Sequence, residues 1–416
     1  MLEFDDIQHL LLTRAPALTA RYEFLSFRDG AGARAWVSAI KETIHSAAAM
    51  RASADQDKRW VTAAFTWNGL RALGLDEASL VSFPEEFKQG MAARAEMLGD
   101  AGVNAPEHWV GGLASPGLHA VVILFARDEA EHDRCVAEHG KLIARCPGVE
   151  VLSVLDLQAI PPFGYAHEHF GYRDRLSEPA IEGNGVIPSP GTGEPLKPGE
   201  FILGYPDEYG VTADSPRPEL LARNGSYMAY RRLEEHVGKF RDFLRQHGDT
   251  AEEQELIAAK LMGRWRSGAP LVLAPEQDDP VLGADMQRNN DFSYKELDPH
   301  GYAAPLGSHI RRMNPRDTGH NMNRRRMIRR GAPYGPPLPE GAPDDGVERG
   351  IAAFVICASL IRQFEFAQNV WINDRNFNEL RNERDPIIGA HDGTLEFKIP
   401  KRPIARRSLA CLPSPR

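Results

Sequence analysis

Residues 119–159 read HAVVILFARDEAEHDRCVAEHGKLIARCPGVEVLSVLDLQA. His119–Phe125 is a short continuous apolar run, the pattern of a buried strand. Asp128–Arg145 is charged and helical in period, and Val149–Ala159 returns as a strand. Working back, Arg21–Phe27 (RYEFLSF) alternates like a half-buried strand, and Gly32–Ala49 carries Trp36, Ile40 and Ile44 as a helical stripe. Trp60–Trp67 (WVTAAFTW) suits a strand, followed by a short helix from Asn68 that closes at Gly74. Strand–helix–strand is therefore met twice, which predicts a split βαβ, ferredoxin-like unit with an antiparallel sheet and helices on one face.

A loop-rich stretch from Pro161 to Asn224 follows, dense in proline and glycine. A connection of that length is usually functional or a linker. Beyond it the pattern recurs: Gly225–Leu233 as a strand, Glu234–His247 and Glu252–Trp265 as helices, and Gly350–Leu360 (GIAAFVICASL) as a buried strand. Ile361–Trp371 then continues as a helix, with Phe364, Phe366 and Val370 as core candidates. The expected fold class is α+β with two ferredoxin-like domains, residues 1–165 and 225–416, joined by a loop-rich connection over 166–224. No GxGxxG follows a strand, so a doubly wound dinucleotide fold has no support.

The totals agree with two domains. A chain of 416 residues exceeds one ordinary core. Charged residues at 26% and apolar residues at 42% are globular proportions. No run of about 18 apolar residues is present, so no membrane span is expected. The N-terminus carries acids where a signal peptide carries bases, which predicts a cytoplasmic protein. Cys135, Cys146, Cys357 and Cys411 show no CxxC spacing and read as reduced, mostly buried thiols. A net charge of −9 argues against a nucleic-acid partner despite local arginine runs.

Those runs lie in residues 305–335, PLGSHIRRMNPRDTGHNMNRRRMIRRGAPYG. Pro305 and Asn314-Pro315 bracket a helix of about two turns. On such a helix His309 and Arg312 share a face, with Arg316 just past its end. Cations depress the basicity of a neighbouring histidine, so His309 is a poor general base and a better neutral metal ligand. A structural histidine is the competing reading. Arg324–Arg330 (RRRMIRR), read as a strand, turns Arg325, Met327 and Arg329 one way and Arg326, Ile328 and Arg330 the other. Five arginines in seven residues mean either a solvated face or an anion site. In the long loop, Asp174 lies between Arg173 and Arg175, which keeps it ionised. His167 and His169 lack a third metal ligand nearby.

These residues carry a resemblance. FTWNGLRALGL at Phe65–Leu75, KPGEFILGYPDEYG at Lys197–Gly210, RNGSYMAYRRLEEHV at Arg223–Val237, GSHIRRMNPRD at Gly307–Asp317, IRRGAPYG at Ile328–Gly335 and RQFEFAQNVW at Arg362–Trp371 occur in order along nearly the full chain. The chain resembles the dye-decolourising haem peroxidases, in their larger fungal and bacterial branch. The resemblance implies haem b held mainly by the C-terminal half, with His309 as axial iron ligand, Arg312, Arg316 and Arg329 as cofactor-binding cations, and Asp174 and Arg329 as the catalytic pair. It implies a carboxylate behind His309, for which Asp385 is the first candidate and Asp374 the second. The implied partners are hydrogen peroxide and a reducing dye or phenol, with Tyr334, Trp265 and Trp371 as electron relays or simply core aromatics. Open sheet edges leave room for a homo-oligomer. The family's GxxDG motif reads Gly171-Tyr172-Arg173-Asp174-Arg175 here, with arginine at the second glycine. That departure keeps a haem-binding or storage protein with weak activity as the alternative.

Overall fold

The computed structural model describes residues 1–53, 56–160, 167–213, 216–391, 393–401 and 405–410. Four strands, β1 (Thr19–Phe27), β2 (Arg59–Phe65), β3 (Ala120–Ala126) and β4 (Val149–Gln158), form one sheet in the order β2-β3-β1-β4. Every neighbouring pair is antiparallel. This is the ferredoxin-like order expected from the sequence. The helices Gly30–Ile40 and Glu129–Ala144 start where Asp29 and Asp128 accept backbone N–H groups of their first turns. Trp36, Ile40 and Cys135 from these helices pack on Leu25, Phe27, Val122 and Leu124. The opposite residues of the same strands, among them Tyr22, Phe24, Val121 and Ile123, face a second sheet.

That sheet contains β5 (Tyr227–Glu234), β6 (Ile328–Tyr334) and β7 (Gly350–Cys357) in the order β5-β7-β6, again antiparallel. Ile328, Ala332, Ala352, Phe354 and Ile356 meet the first sheet, and the Tyr22 and Phe354 rings lie 4.9 Å apart. The two sheets thus share one apolar interior. Alternation then sends Ala229 and Arg231 of β5, Arg329 and Gly331 of β6, and Ala353 and Val355 of β7 to the other face, where they line a cavity or flank it.

Three expectations are corrected. The stripe over Gly32–Ala49 is not one helix: it ends at Ile40, passes through the turn Lys41–Thr43 and restarts at Ala47. His45 is drawn out to bond its N–H to the Val61 carbonyl at 3.1 Å, while Ile44 still packs with the helix cluster, which is why the stripe looks continuous. The second sheet has three strands among the described residues, not four. The late strands β8 (Glu396–Lys401) and β9 (Ala405–Ala410) pair with each other, and Phe397, Ile399 and Leu409 cover the helices Val237–His247 and Ala251–Met262. Finally, Ile361–Glu365 and Ala367–Ile372 wind in wide π turns, with Glu365 N–H on the Leu360 carbonyl and Asn373 N–H on that of Gln368. The shifted phase leaves Val370 at 39% exposure, outside the core.

Candidate active site

The cavity, about 1310 Å³, runs between the outer face of the second sheet and the short helix His309–Met313 and extends to the inter-sheet side, where Phe24, Val121, Tyr230 and Tyr334 line it. It is large even against the roughly 300–1,000 Å³ typical of small-molecule sites. His309 lines it, with Nδ1 2.9 Å from Oδ2 of the wholly buried Asp385. The other oxygen, Oδ1, accepts the N–H groups of Ile387 and Ile388. Burial alone would raise the Asp385 pKa, but the His309 ring, the Ile388 N–H and Arg312 bring it below the usual carboxylate range. An anionic acceptor at Nδ1 keeps the proton there and leaves Nε2 as the lone-pair nitrogen. Asp374 does not reach His309: its carboxylate caps Asn376 N–H and its carbonyl accepts from Arg312.

On the sheet wall, Arg329 lies 3.3 Å from Asp174, and both line the same cavity. Burial pushes the Asp174 carboxyl up, yet Arg329, the Arg175 N–H, Arg14 and Arg175 together hold it below its ordinary value. Its loop is closed by Glu168, whose carboxylate accepts the N–H groups of Phe170 and Tyr172 at 2.7 and 2.6 Å. Gly171, at φ +93°, makes that closure possible, since that backbone conformation favours glycine. Arg175 keeps the positive φ expected of the missing glycine, at +66°, at a cost of roughly 1–2 kcal/mol.

Arg312 is corrected. The helix is five residues long, and Arg312 is fully buried away from the cavity lining. Its guanidinium donates to the carbonyls of Gly307, Trp371, Asp374 and Glu383 and stacks on Phe377. It fastens the His309 helix to the segment that carries Asp385. Arg316 does line the cavity, beside Phe292 and Asn290. Next to it stands Arg326, which had not been singled out. Burial, with Arg316 and Arg329 nearby, lowers Arg326 to about 10. Arg264, pressed to about 9 by burial and then by Arg316, lines the same region. Arg264 donates to the Gly268 and Asn289 carbonyls and the Asn290 amide oxygen, and Arg326 to the Thr192 carbonyl, all neutral acceptors. Clustered buried cations that form no salt bridge among the described residues suit an anionic ligand, as haem propionates would be. A carboxylate-backed imidazole, a large cavity and this cation group together fit haem.

Of the three relay candidates, Tyr334 lines the cavity, with its hydroxyl 3.3 Å from Glu348. Trp265 and Trp371 are buried elsewhere, the first donating to the Ala274 carbonyl. His169 bonds the Tyr334 carbonyl at 2.8 Å, and no group of three metal-ligating side chains occurs among the described residues. Cys135, Cys146 and Cys357 are free and buried; Cys411 lies outside the described residues.

A histidine backed by a carboxylate thus shares one cavity with an aspartate–arginine pair, the arrangement that the resemblance to peroxidases implies. The comparisons agree. Residues 19–152 match the model of the DyP dimeric alpha+beta barrel domain. Peroxidase 2 of Mycetinis scorodonius is 34% identical over 95% of this chain and 78% of its own length. The dye-decolorizing peroxidase of Mycena epipterygia is 32% identical over 93% and 75%. The crystal structure of a fungal DyP-type peroxidase from Auricularia auricula-judae superposes with a TM-score of 0.86 at 28% identity, covering 100% of this chain and 95% of that one. The chain belongs to the dye-decolorizing peroxidase family and is an enzyme of that class.

Proposed function

We propose that the protein binds haem b at His309 and reduces hydrogen peroxide while oxidising dyes, phenols and similar one-electron donors. The observation that carries this is one cavity lined by His309, with Asp385 bonded behind it, and by the Asp174–Arg329 pair. When bound, haem supplies the redox-active iron and conjugated ring on which peroxide reduction and donor oxidation both depend. His309 would hold the iron through Nε2, with Asp385 fixing its tautomer, and Arg316 and Arg326 would hold the propionates. Asp174, kept ionised, takes a proton from peroxide and returns it to the departing oxygen. Arg329 stays charged and offsets the negative charge that develops as the O–O bond breaks. Tyr334, at the cavity wall, serves as the relay toward donors too large to enter.

We also assign the protein to the cytoplasm, the compartment that suits three buried, unpaired thiols. No helix of the described residues is long and apolar enough to cross a membrane. The test is haem titration followed by peroxide-dependent dye oxidation. His309→Ala is expected to abolish the haem absorption band, and Asp174→Asn and Arg329→Leu to lower turnover about 100-fold or more while leaving haem bound. Unchanged turnover in both latter variants refutes the assignment of the pair.

A further inference from the structure

Among the carboxyl groups that line the cavity, Glu168 and Glu235 have no part in the peroxide chemistry above. Glu168 opens the loop that carries Asp174, and Glu235 follows directly on β5. Glu235 accepts the His169 N–H while Glu168 accepts those of Phe170 and Tyr172, so the two side chains meet over one turn and bond to one another there. Two carboxylates cannot form that bond, so the pair holds a proton. Its place follows from the donors. Glu168 accepts two backbone N–H groups, from Phe170 and Tyr172, and is the better anion. Glu235 accepts one, from His169 at 2.9 Å, and carries the acid proton. Charged and titratable groups face the pair from every side. Arg266 favours the Glu168 anion, Asp174 works against ionising Glu235, Arg349 receives the Glu235 N–H on its carbonyl, and His169 and Tyr172 complete the shell.

We propose that Glu235 and Glu168 are a proton reservoir for the distal site, with Glu235 as the donor that feeds Asp174 through cavity water. The proposal rests on the peroxidase reading. Reducing one peroxide to two waters consumes two electrons and two protons. A donor too bulky for the cavity passes its electrons through the protein and releases its protons outside, so those protons need a separate way in. Glu235 gives up its proton toward Asp174, the pair becomes doubly anionic, and a solvent proton restores it; two such passes complete one turnover. Glu168 also closes the loop, so its replacement would confound structure with proton supply. Glu235→Gln avoids this, because an amide still accepts from His169 and donates to Glu168 but has no acidic proton.

The test uses infrared spectroscopy on the protein without haem and pH–rate profiles on the haem-loaded enzyme. The wild type is expected to show the carbonyl stretch of a protonated carboxylic acid at neutral pH, sensitive to D₂O and absent from Glu235→Gln. With a bulky dye as donor, turnover of the variant above neutrality is expected to be about tenfold lower, with a larger solvent isotope effect. Binding of haem should be unaltered. Absence of the carboxylic acid band overturns the proposal, and so does a band lost in the variant without any change in the alkaline limb or the isotope effect. A wild type that binds haem but never oxidises dye, with the band present, overturns the peroxidase reading instead and with it the supply role.

Discussion

Asp385→Asn is the sharpest probe of the proximal side. In the wild type Oδ1 is engaged by Ile387 and Ile388 N–H groups at 2.9 and 3.0 Å, and Oδ2 faces His309 Nδ1 at 2.9 Å. An asparagine keeps its oxygen on the two N–H groups, since turning it would strand them. Its NH₂ then points at Nδ1 and demands a lone pair there. The imidazole proton moves to Nε2, the nitrogen needed for iron. Loss of such an outer partner typically costs 10- to 100-fold in metal affinity, or about 1.4–2.8 kcal/mol. Titration of haem into the apoprotein, followed by absorbance, is expected to show that loss, with an altered ligand-field spectrum. Asp374→Asn, whose carboxylate contacts Asn376 instead, should bind haem like the wild type. An Asp385→Asn affinity within twofold of the wild type refutes the tautomer argument.

The pH dependence of turnover reports on Asp174. Because its pKa is depressed, its base form survives as pH falls, so the acid limb lies below the ordinary carboxylate range. Arg329→Leu removes the strongest opposing charge and leaves burial dominant, so the residual activity should show that limb at higher pH; Arg175→Gly should move it the same way but less. Arg312→Lys cannot serve four carbonyls with the planar fork, and one or two left without donors should cost roughly 2–4 kcal/mol, read as a lower denaturant midpoint. An unchanged midpoint removes Arg312 from its fastening role.

Local chemistry made much of this architecture legible. The N-terminal unit follows from period-two and helical patterns. The resemblance implies His309, Asp174 and Arg329 and leaves Asp385 as the first of two candidates, and the structure brings them to one cavity or directly behind it. Arg312 misled because spacing along a helix fixes direction only when the helix is long enough and its neighbours are known. Its four carbonyl partners reach 71 residues along the chain. Arg326 escaped for the opposite reason. The run was read as a strand from residue 324, whereas pairing begins at Ile328, so strand alternation does not place the earlier arginines. The Glu168–Glu235 bond joins positions 67 apart, and no local period announces it.

The bond between His309 and Asp385 spans 76 residues. Arg94 meets Glu365 at 2.5 Å, and Asn373 donates to the Leu98 carbonyl, across 271 and 275 residues. The His309 side of the cavity therefore cannot close while the chain is being made until position 385 has emerged, long after the N-terminal sheet can have folded. Cofactor capture becomes a late checkpoint of biosynthesis: a chain cut short before Asp385 would fold its first half and still be unable to present His309 correctly.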